Sequence, residues 1–310
     1  MTDPTSSPLS SPSPVVVVTG ANGLVGARTV AALVERGATV RAVVRRAGTA
    51  PALDGVEEHV GEFFDPELAA SVVAGADAVV TTVHPMGSDR EAQEQIAVQG
   101  TPVLARAARD AGVARLVHVS TAAVYDRSPD AGDVDESSPV VGEDANDYAA
   151  TKLATDVALE QVDGLTRVLL RPPAILGAGE TSVWNTLRPA GVRQDPSAPL
   201  GVQDQTFPWV HVDDLAAVAA DLAAGRVATS QDPAQGPVEG GCTPLNVAGG
   251  PATIGDYFGT VAGALGVDPV WDDGPAWTGR FSADRAHAWG WTPQVTLPDA
   301  LAELDRGLRE

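Results

Sequence analysis

The chain of 310 residues holds a single cysteine, Cys242, so no internal disulfide can form. Its five histidines are scattered without ligand spacing, which excludes a recognisable zinc motif, and no metal is expected. No apolar run approaches a membrane span, so no membrane partner is expected either. Basic residues are scarce: Lys and Arg total 20 against 41 Asp and Glu, a formal net charge of −21. Such a field repels phosphate backbones and argues against nucleic acid, leaving solubility as the simpler use of the charge. Residues 1–14 are rich in Ser, Thr and Pro, with no basic start and no hydrophobic segment. They read as a disordered tail and not as a signal peptide, and a cytoplasmic location is expected. The 44% of hydrophobic residues suffices for one large core, or for a nucleotide domain with a smaller lobe.

What is present begins at Val15. Four consecutive valines with no polar face fit a strand buried on both sides of a parallel sheet, and Thr19-Gly20-Ala21-Asn22-Gly23-Leu24-Val25-Gly26 follows at once. Apolar Val30, Leu33 and Val34 then recur at helical spacing, and Gly37 stands where a left-handed cap is expected. In such a strand, turn and helix, Gly20 and Gly23 let bare backbone approach a pyrophosphate, and Gly26 lets the helix pack close to the strand. Asn22, Leu24 and Val25 complete the turn, and the first helical N–H groups face the anion. The alternative is a glycine turn without a ligand; the flanking strand and helix favour a dinucleotide site.

A second strand, Thr39 to Val44, ends in Arg45-Arg46 where the dinucleotide fingerprint places a ribose-binding acid. Guanidinium groups there suit the 2′-phosphate of NADP(H), which is therefore expected over NAD(H), although solvated strand-end charges would look the same. A third strand closes at Asp65-Pro66, and Asp77 to Val83 makes a fourth. His84 leaves that fourth strand beside the expected nicotinamide position and reads either as a substrate contact or as a solvated loop residue. A helix from Asp89 to Ala111 and a fifth strand from Arg115 to Ser120 follow. Strands alternating with helices predict an α/β fold, a Rossmann-type doubly wound parallel sheet.

At the end of the fifth strand stand Ser120 and Thr121, followed after an acidic loop by Tyr148-Ala149-Ala150-Thr151-Lys152. A tyrosine and a lysine four apart on a helix share one face. The lysine's charge is expected to draw the phenol, of reference pKa ~10, toward neutrality and fit it for proton exchange with a carbinol oxygen. Thr121 offers a hydroxyl to the same oxygen, and Lys152 is positioned to hold the nicotinamide ribose. Thr121, Tyr148 and Lys152 are the candidate catalytic set.

The glycine turn preceded by Thr19, the Ser-Thr pair before Val124-Tyr125, and Tyr148-x-x-x-Lys152 together resemble the extended short-chain dehydrogenases/reductases, the NAD(P)-dependent epimerase/dehydratase family. The resemblance runs over nearly residues 15 to 308. It takes in Leu170-Arg171-Pro172-Pro173-Ala174, Trp209-Val210-His211-Val212-Asp213-Asp214, and a terminal stretch from Phe281 to Pro293 whose aromatic residues are expected to pack a small lobe. It implies a nucleotide domain over 15–172 completed by 211–248, with 173–210 and 249–310 as a smaller C-terminal substrate lobe. It also implies Asp65 near the adenine, although capping alone would explain that residue. Pairing of the helices 89–111 and 146–160 into a homodimer is implied as well.

Three departures narrow the function. Dehydratases of this kind carry an Asp-Glu pair where this chain has Ala122 and Ala123, and alanine cannot transfer a proton. Nucleotide-sugar enzymes tend to carry an asparagine at the position of Ala174. The segment 181–206 has few basic residues besides Arg188 and Arg193. An uncharged carbonyl or alcohol is thus the expected substrate, with Ala122 and Ala174 beside it. A reductase is favoured, a redox-neutral nucleotide-sugar epimerase is the alternative, and a non-catalytic NADP-sensing regulator is a second alternative.

Overall fold

The computed structural model describes residues 13–142 and 144–310, so the tail reading for residues 1–12 lies outside the described residues. Pro14 already belongs to the fold, its carbonyl accepting the Thr39 amide at 2.9 Å. β1 (Val15–Thr19) runs through the glycine turn into α1 (Leu24–Glu35), followed by β2 (Thr39–Val44), β3 (Val56–Val60), α2 (Pro66–Val73) and β4 (Ala78–Thr81). A long helical rod comprises α3 (Arg90–Gln93), a π-helical stretch (Glu94–Gln99) and α4 (Gly100–Asp110). β5 (Arg115–Val119), a 3₁₀ turn (Ala122–Val124), α5 (Asp147–Glu160), β6 (Thr166–Arg171) and β7 (Ala174–Leu176) come next. After a π-helical turn (Val183–Leu187) come α6 (Arg188–Gln194), β8 (Trp209–His211), α7 (Val212–Ala223) and β9 (Cys242–Asn246). α8 (Ile254–Leu265), α9 (Asp284–Ala288) and α10 (Leu297–Arg309) complete the chain.

Seven strands form one sheet, in the order β3-β2-β1-β4-β5-β6-β9, and every pairing is parallel. The alternation of the strand explains the two cores. Val16 and Val18 turn to one side, with Val30, Leu33, Leu215 and Leu222 of α1 and α7; Val17 turns to the other, with Leu104 and Leu159 of α4 and α5. Each fully buried valine of β1 contributes about 2 kcal/mol. Sequence order reverses between β1 and β4, and in open parallel sheets such a switch opens a crevice at the carboxyl ends of the strands.

A smaller cluster joins Leu176, Phe207, Trp209, Tyr257, Val261 and Leu304 around the β7–β8 pair. The terminal aromatic residues do not join it. Phe281, Trp289 and Trp291 pack instead on the α7 side of the main sheet. The Asp214 carboxylate draws that segment in by accepting the Gln294 and Val295 amides at 2.9 and 3.0 Å. Three other boundaries differ from expectation. β3 ends at Val60, and Asp65, expected to close that strand, stands apart from it as the cap of α2. β4 stops at Thr81, and the next hydroxyl, Thr82 Oγ1, turns back to donate to the Thr19 carbonyl at 2.9 Å. The 89–111 helix changes register before Pro102, which has no N–H for the carbonyl four residues back and crowds it sterically. Among the described residues no helix is long and apolar enough to cross a membrane.

Candidate active site

At the carboxyl end of β1 the backbone leaves no room for side chains. Gly20 has φ +68°, and a Cβ there would meet Thr82 Oγ1 at 2.6 Å. A Cβ on Gly26 would lie 2.0 Å from the Gly20 carbonyl oxygen, so the first turn of α1 rests directly on the loop. Gly23 caps α1 with extended backbone, no side-chain cap and no acidic residue in the first turn. The leading amides of α1, at Leu24 and Val25, therefore stay open to an outside anion, and the residues present fit a dinucleotide pyrophosphate.

Around this turn, Asn22 Nδ2 lies 3.5 Å from Thr49 Oγ1. Glu58 holds the loop after β2 by accepting the amides of Gly48, Thr49 and Ala50 at 2.8, 3.1 and 3.0 Å, bonds that also keep its carboxyl below the usual range. Arg45 and Arg46, just before that loop, are exposed. Asp65 caps α2, its Oδ1 accepting the Glu67 and Leu68 amides at 3.1 and 3.0 Å.

The sheet and α5 bring the catalytic candidates together. β5 ends at Val119, and Thr121 caps the following 3₁₀ turn, its hydroxyl accepting the Ala123 amide at 3.1 Å. Asn146 caps α5 through the Ala149 amide at 3.0 Å and so sets Tyr148 in the first turn, beside the Thr121 hydroxyl. Lys152, one turn on, is 3% exposed and donates from Nζ to the Val119 carbonyl at 2.7 Å. It is the only lysine in the sequence, every other basic side chain being arginine. Burial depresses its ammonium from 10.5 to about 8, with Asp156 opposing.

The phenol behaves otherwise than expected from the sequence. Burial raises Tyr148, and the Thr121 hydroxyl offsets this only in part. The lysine charge is directed at a carbonyl oxygen, so in the chain alone it does not overcome desolvation.

Below Lys152 lies a buried layer that the sequence reading missed. Asp156, 1% exposed, pairs with Arg171 at 3.0 Å, and Arg171 also donates to Tyr125 Oη at 2.9 Å. Tyr125 Oη donates to Asn246 Oδ1 at 2.9 Å, which ties this layer under α5 to the last strand. The position of Asp156, four residues after Lys152 on one helix face, was the available signal.

His84 is half-buried, its ring edge-on to Tyr148 with centroids 5.0 Å apart and its Nε2 3.2 Å from Thr151 Oγ1. Burial, and then the Lys152 charge, push the imidazole down to about 3, so it is neutral. Ala122 has no exposed surface and fills the main core, which removes it as a substrate contact; half-exposed Ala123 is the neighbour that faces outward. Ala174 is 8% exposed, with its amide on the Pro208 carbonyl at 3.1 Å.

A family model described as the NAD dependent epimerase/dehydratase family matches residues 16–232. The chain belongs to that family. It is similar to sterol demethylase protein B of Methylococcus capsulatus, with 36% identity over 168 residues covering 52% of this chain and 51% of that protein. It is also similar to the 3 beta-hydroxysteroid dehydrogenase/Delta 5→4-isomerase of Mycobacterium tuberculosis, at 32% identity over 184 residues, 56% of this chain and 50% of that one. The chain thus spans about half the length of these curated relatives. Among solved structures, the Bordetella bronchiseptica enzyme WbmH in complex with NAD+ superposes with a TM-score of 0.76 at 22% identity, covering 96% of this chain and 98% of that one. At that identity the match speaks to the fold.

Proposed function

We propose that the protein is an NADP(H)-dependent oxidoreductase that interconverts an uncharged, apolar carbonyl and its alcohol, with Tyr148 as proton donor and acceptor. The observation that carries this reading is the convergence of Thr121, Tyr148 and the sole lysine, Lys152, at the strand ends beside an open helix N-terminus. The dinucleotide supplies or accepts the hydride when bound. The glycine turn binds its pyrophosphate, and Lys152 lies on the face of α5 that would meet the nicotinamide ribose. The Thr121 hydroxyl holds the reacting oxygen, and Tyr148 Oη gives it a proton in reduction or takes one in oxidation.

Apolar surroundings suit such a substrate. Ala123 and Ala174 bring neither acid nor base, His84 is neutral, and Met86, two residues on, is 53% exposed. Relatives named for a sterol and a steroid support the same class. A panel of ketones, aldehydes and alcohols with both cofactors tests the reading. NADPH should be consumed one for one with an apolar ketone or aldehyde. Purified protein that carries bound cofactor, ignores the panel and inverts a sugar-nucleotide centre without added NADPH would establish the epimerase instead.

The cofactor preference rests on Arg45 and Arg46, exposed where β2 ends. We expect NADPH to bind more tightly than NADH, and Arg45→Ala with Arg46→Ala to remove most of a difference of about thirtyfold to a thousandfold, each charge-assisted contact contributing roughly 1–2 kcal/mol. Isothermal titration with both cofactors measures this, and equal wild-type affinities would end the assignment.

The proposed assembly is a homodimer in the cytoplasm. Ala150, Leu153, Ala154, Val157 and Ala158 line one incompletely buried face of α5 at helical spacing, with Val157 49% exposed. Ala149, 2% exposed, packs within its own subunit and drops out of the interface set. Light scattering at micromolar concentration should give twice the mass of the 31.7 kDa chain, and Val157→Asp should return it to the monomer.

A further inference from the structure

The loop that leaves β7 is anchored along its length, and the chemistry above does not employ it. Gly177 has φ +140°, and a Cβ there would run into the Val212 side chain. Its amide donates to Asn185 Oδ1 at 2.8 Å. Two residues on, the Gly179 carbonyl accepts the Ser182 amide at 3.0 Å and Thr186 Oγ1 at 2.8 Å. A Cβ on Gly179 would lie 2.8 Å from Leu24 Cδ1, so bare backbone of this loop packs on the first residue of α1. That residue also carries the leading open amide of the anion site.

Ala178, exposed between the two glycines, is tied down from a distant part of the chain. Its amide donates to Glu303 Oε1 at 2.7 Å. Glu303 stands on α10, whose Ala300 and Leu304 pack into the smaller cluster with Leu176 of β7. The other carboxylate oxygen, Oε2, lies 3.1 Å from His211 Nε2. His211 caps α7, its Nδ1 accepting the Asp213 amide at 3.3 Å. An imidazole that accepts at Nδ1 carries its proton on Nε2, so His211 donates to Glu303. Both partners of Glu303 are donors, one to each oxygen. A carboxylate satisfies the two together, whereas an amide would turn an NH₂ toward one of them.

We propose that Glu303 is a positioning residue for the dinucleotide: by holding Ala178 it keeps the 177–179 loop seated on Leu24, and so fixes the start of α1 on which the pyrophosphate is bound. Leu24 gives its side chain to the loop and its amide to the anion, so a loop that lifts frees the first turn of α1. Ordering that turn again on binding costs affinity. The inference rests on the cofactor-binding part of the proposed function and needs nothing from the reaction.

Glu303→Gln keeps the size of the side chain and removes one acceptor. In the variant without cofactor, the Ala178 amide should exchange with deuterium about tenfold faster than in the wild type, and NADPH, titrated by its fluorescence, should bind about tenfold more weakly. Loss of a negative charge alone would act the other way and tighten the hold on an anion. His211→Asn supplies a rescue. Asparagine keeps an acceptor for the Asp213 amide and removes the Nε2–H, so in Glu303→Gln with His211→Asn the glutamine oxygen is free for Ala178. Exchange and affinity in the double variant should return to within about threefold of the wild type, a repair that general damage to α10 would not show. Asp305→Asn, which weakens the pair with Arg309 on the same helix, should change neither reading. Unchanged Ala178 exchange in Glu303→Gln, faster exchange with NADPH affinity unaltered, or a double variant no better than the single one would each overturn the proposal. Wild-type protein that binds neither NADPH nor NADH would refute the cofactor reading and the positioning role together, whereas wild-type binding with no loss in Glu303→Gln refutes the role alone.

Discussion

Tyr148→Phe should lower the rate of hydride transfer by about 10²–10⁴-fold while leaving the dissociation constant of the dinucleotide nearly unchanged. The substitution removes one oxygen. The Thr121 hydroxyl keeps its bond from the Ala123 amide, Lys152 keeps the Val119 carbonyl, and the glycine turn is untouched. On the proposed mechanism what disappears is the proton source for the developing alkoxide, and in reduction that oxygen would then have to draw a proton from a less well placed group. The direction of the phenol's shift sharpens the expectation. Burial raises Tyr148 above the ordinary value, so the chain alone keeps the phenol protonated at neutral pH, the form that reduction uses. In the proposed oxidation Tyr148 would act as the phenolate, a form that the positive charge of a bound oxidised dinucleotide would favour. Single-turnover kinetics in both directions, with cofactor binding measured by fluorescence, separate the effects. Turnover within tenfold of wild type would assign the proton transfer to another group, with His84, edge-on to the phenol, as the next candidate.

The parts of the fold that were legible in the sequence are those where one local rule has one solution. Four valines, three glycines and an amphipathic run place β1, the turn and α1, because a parallel strand buried on both faces is dominated by apolar residues, and β2 appears at Thr39–Val44 as expected although it carries Arg41, whose guanidinium finds the Val72 and Ala74 carbonyls. The placement of Thr121, Tyr148 and Lys152 near one another was legible for a similar reason: strand end and helix face leave little freedom in where they project. Long-range packing was not legible. The aromatic segment 281–291 could cover either hydrophobic cluster, and two backbone amides on Asp214 decide it. The π-helical register shift at 94–99 leaves no mark in apolar periodicity beyond the nearby Pro102. His118 looked like one of five scattered histidines, since nothing local says that β4 sets Thr81 against it. The sign of the Tyr148 shift depends on burial and on where the lysine donates, neither of which a four-residue spacing contains.

Lys152→Met should make the protein more stable at neutral pH and nearly inactive. A buried ammonium depressed from 10.5 to about 8 means that the folded state binds this proton less well than the unfolded chain does. The difference corresponds to about 3 kcal/mol of lost stability. Because the folded pKa is the lower one, the penalty is present in full below about pH 8 and fades as pH rises to about 10.5, where the unfolded chain also releases the proton. Methionine has a similar length and no charge, so the variant escapes this term. It forfeits the bond to the Val119 carbonyl, of the order of 1 kcal/mol, which does not vary with pH. Urea unfolding of both proteins across this range should therefore show an advantage for the variant near pH 7 that shrinks by about 3 kcal/mol toward pH 10.5. A stability difference that stays flat with pH would mean that the lysine is not held as a strained ammonium. Arginine at this position should restore neither property, since a guanidinium is larger and stays charged throughout the range. That asymmetry gives a physical reason why the one lysine in a chain whose other basic side chains are arginines stands at this site: it is the place where a cation is buried and titrates within reach of neutrality.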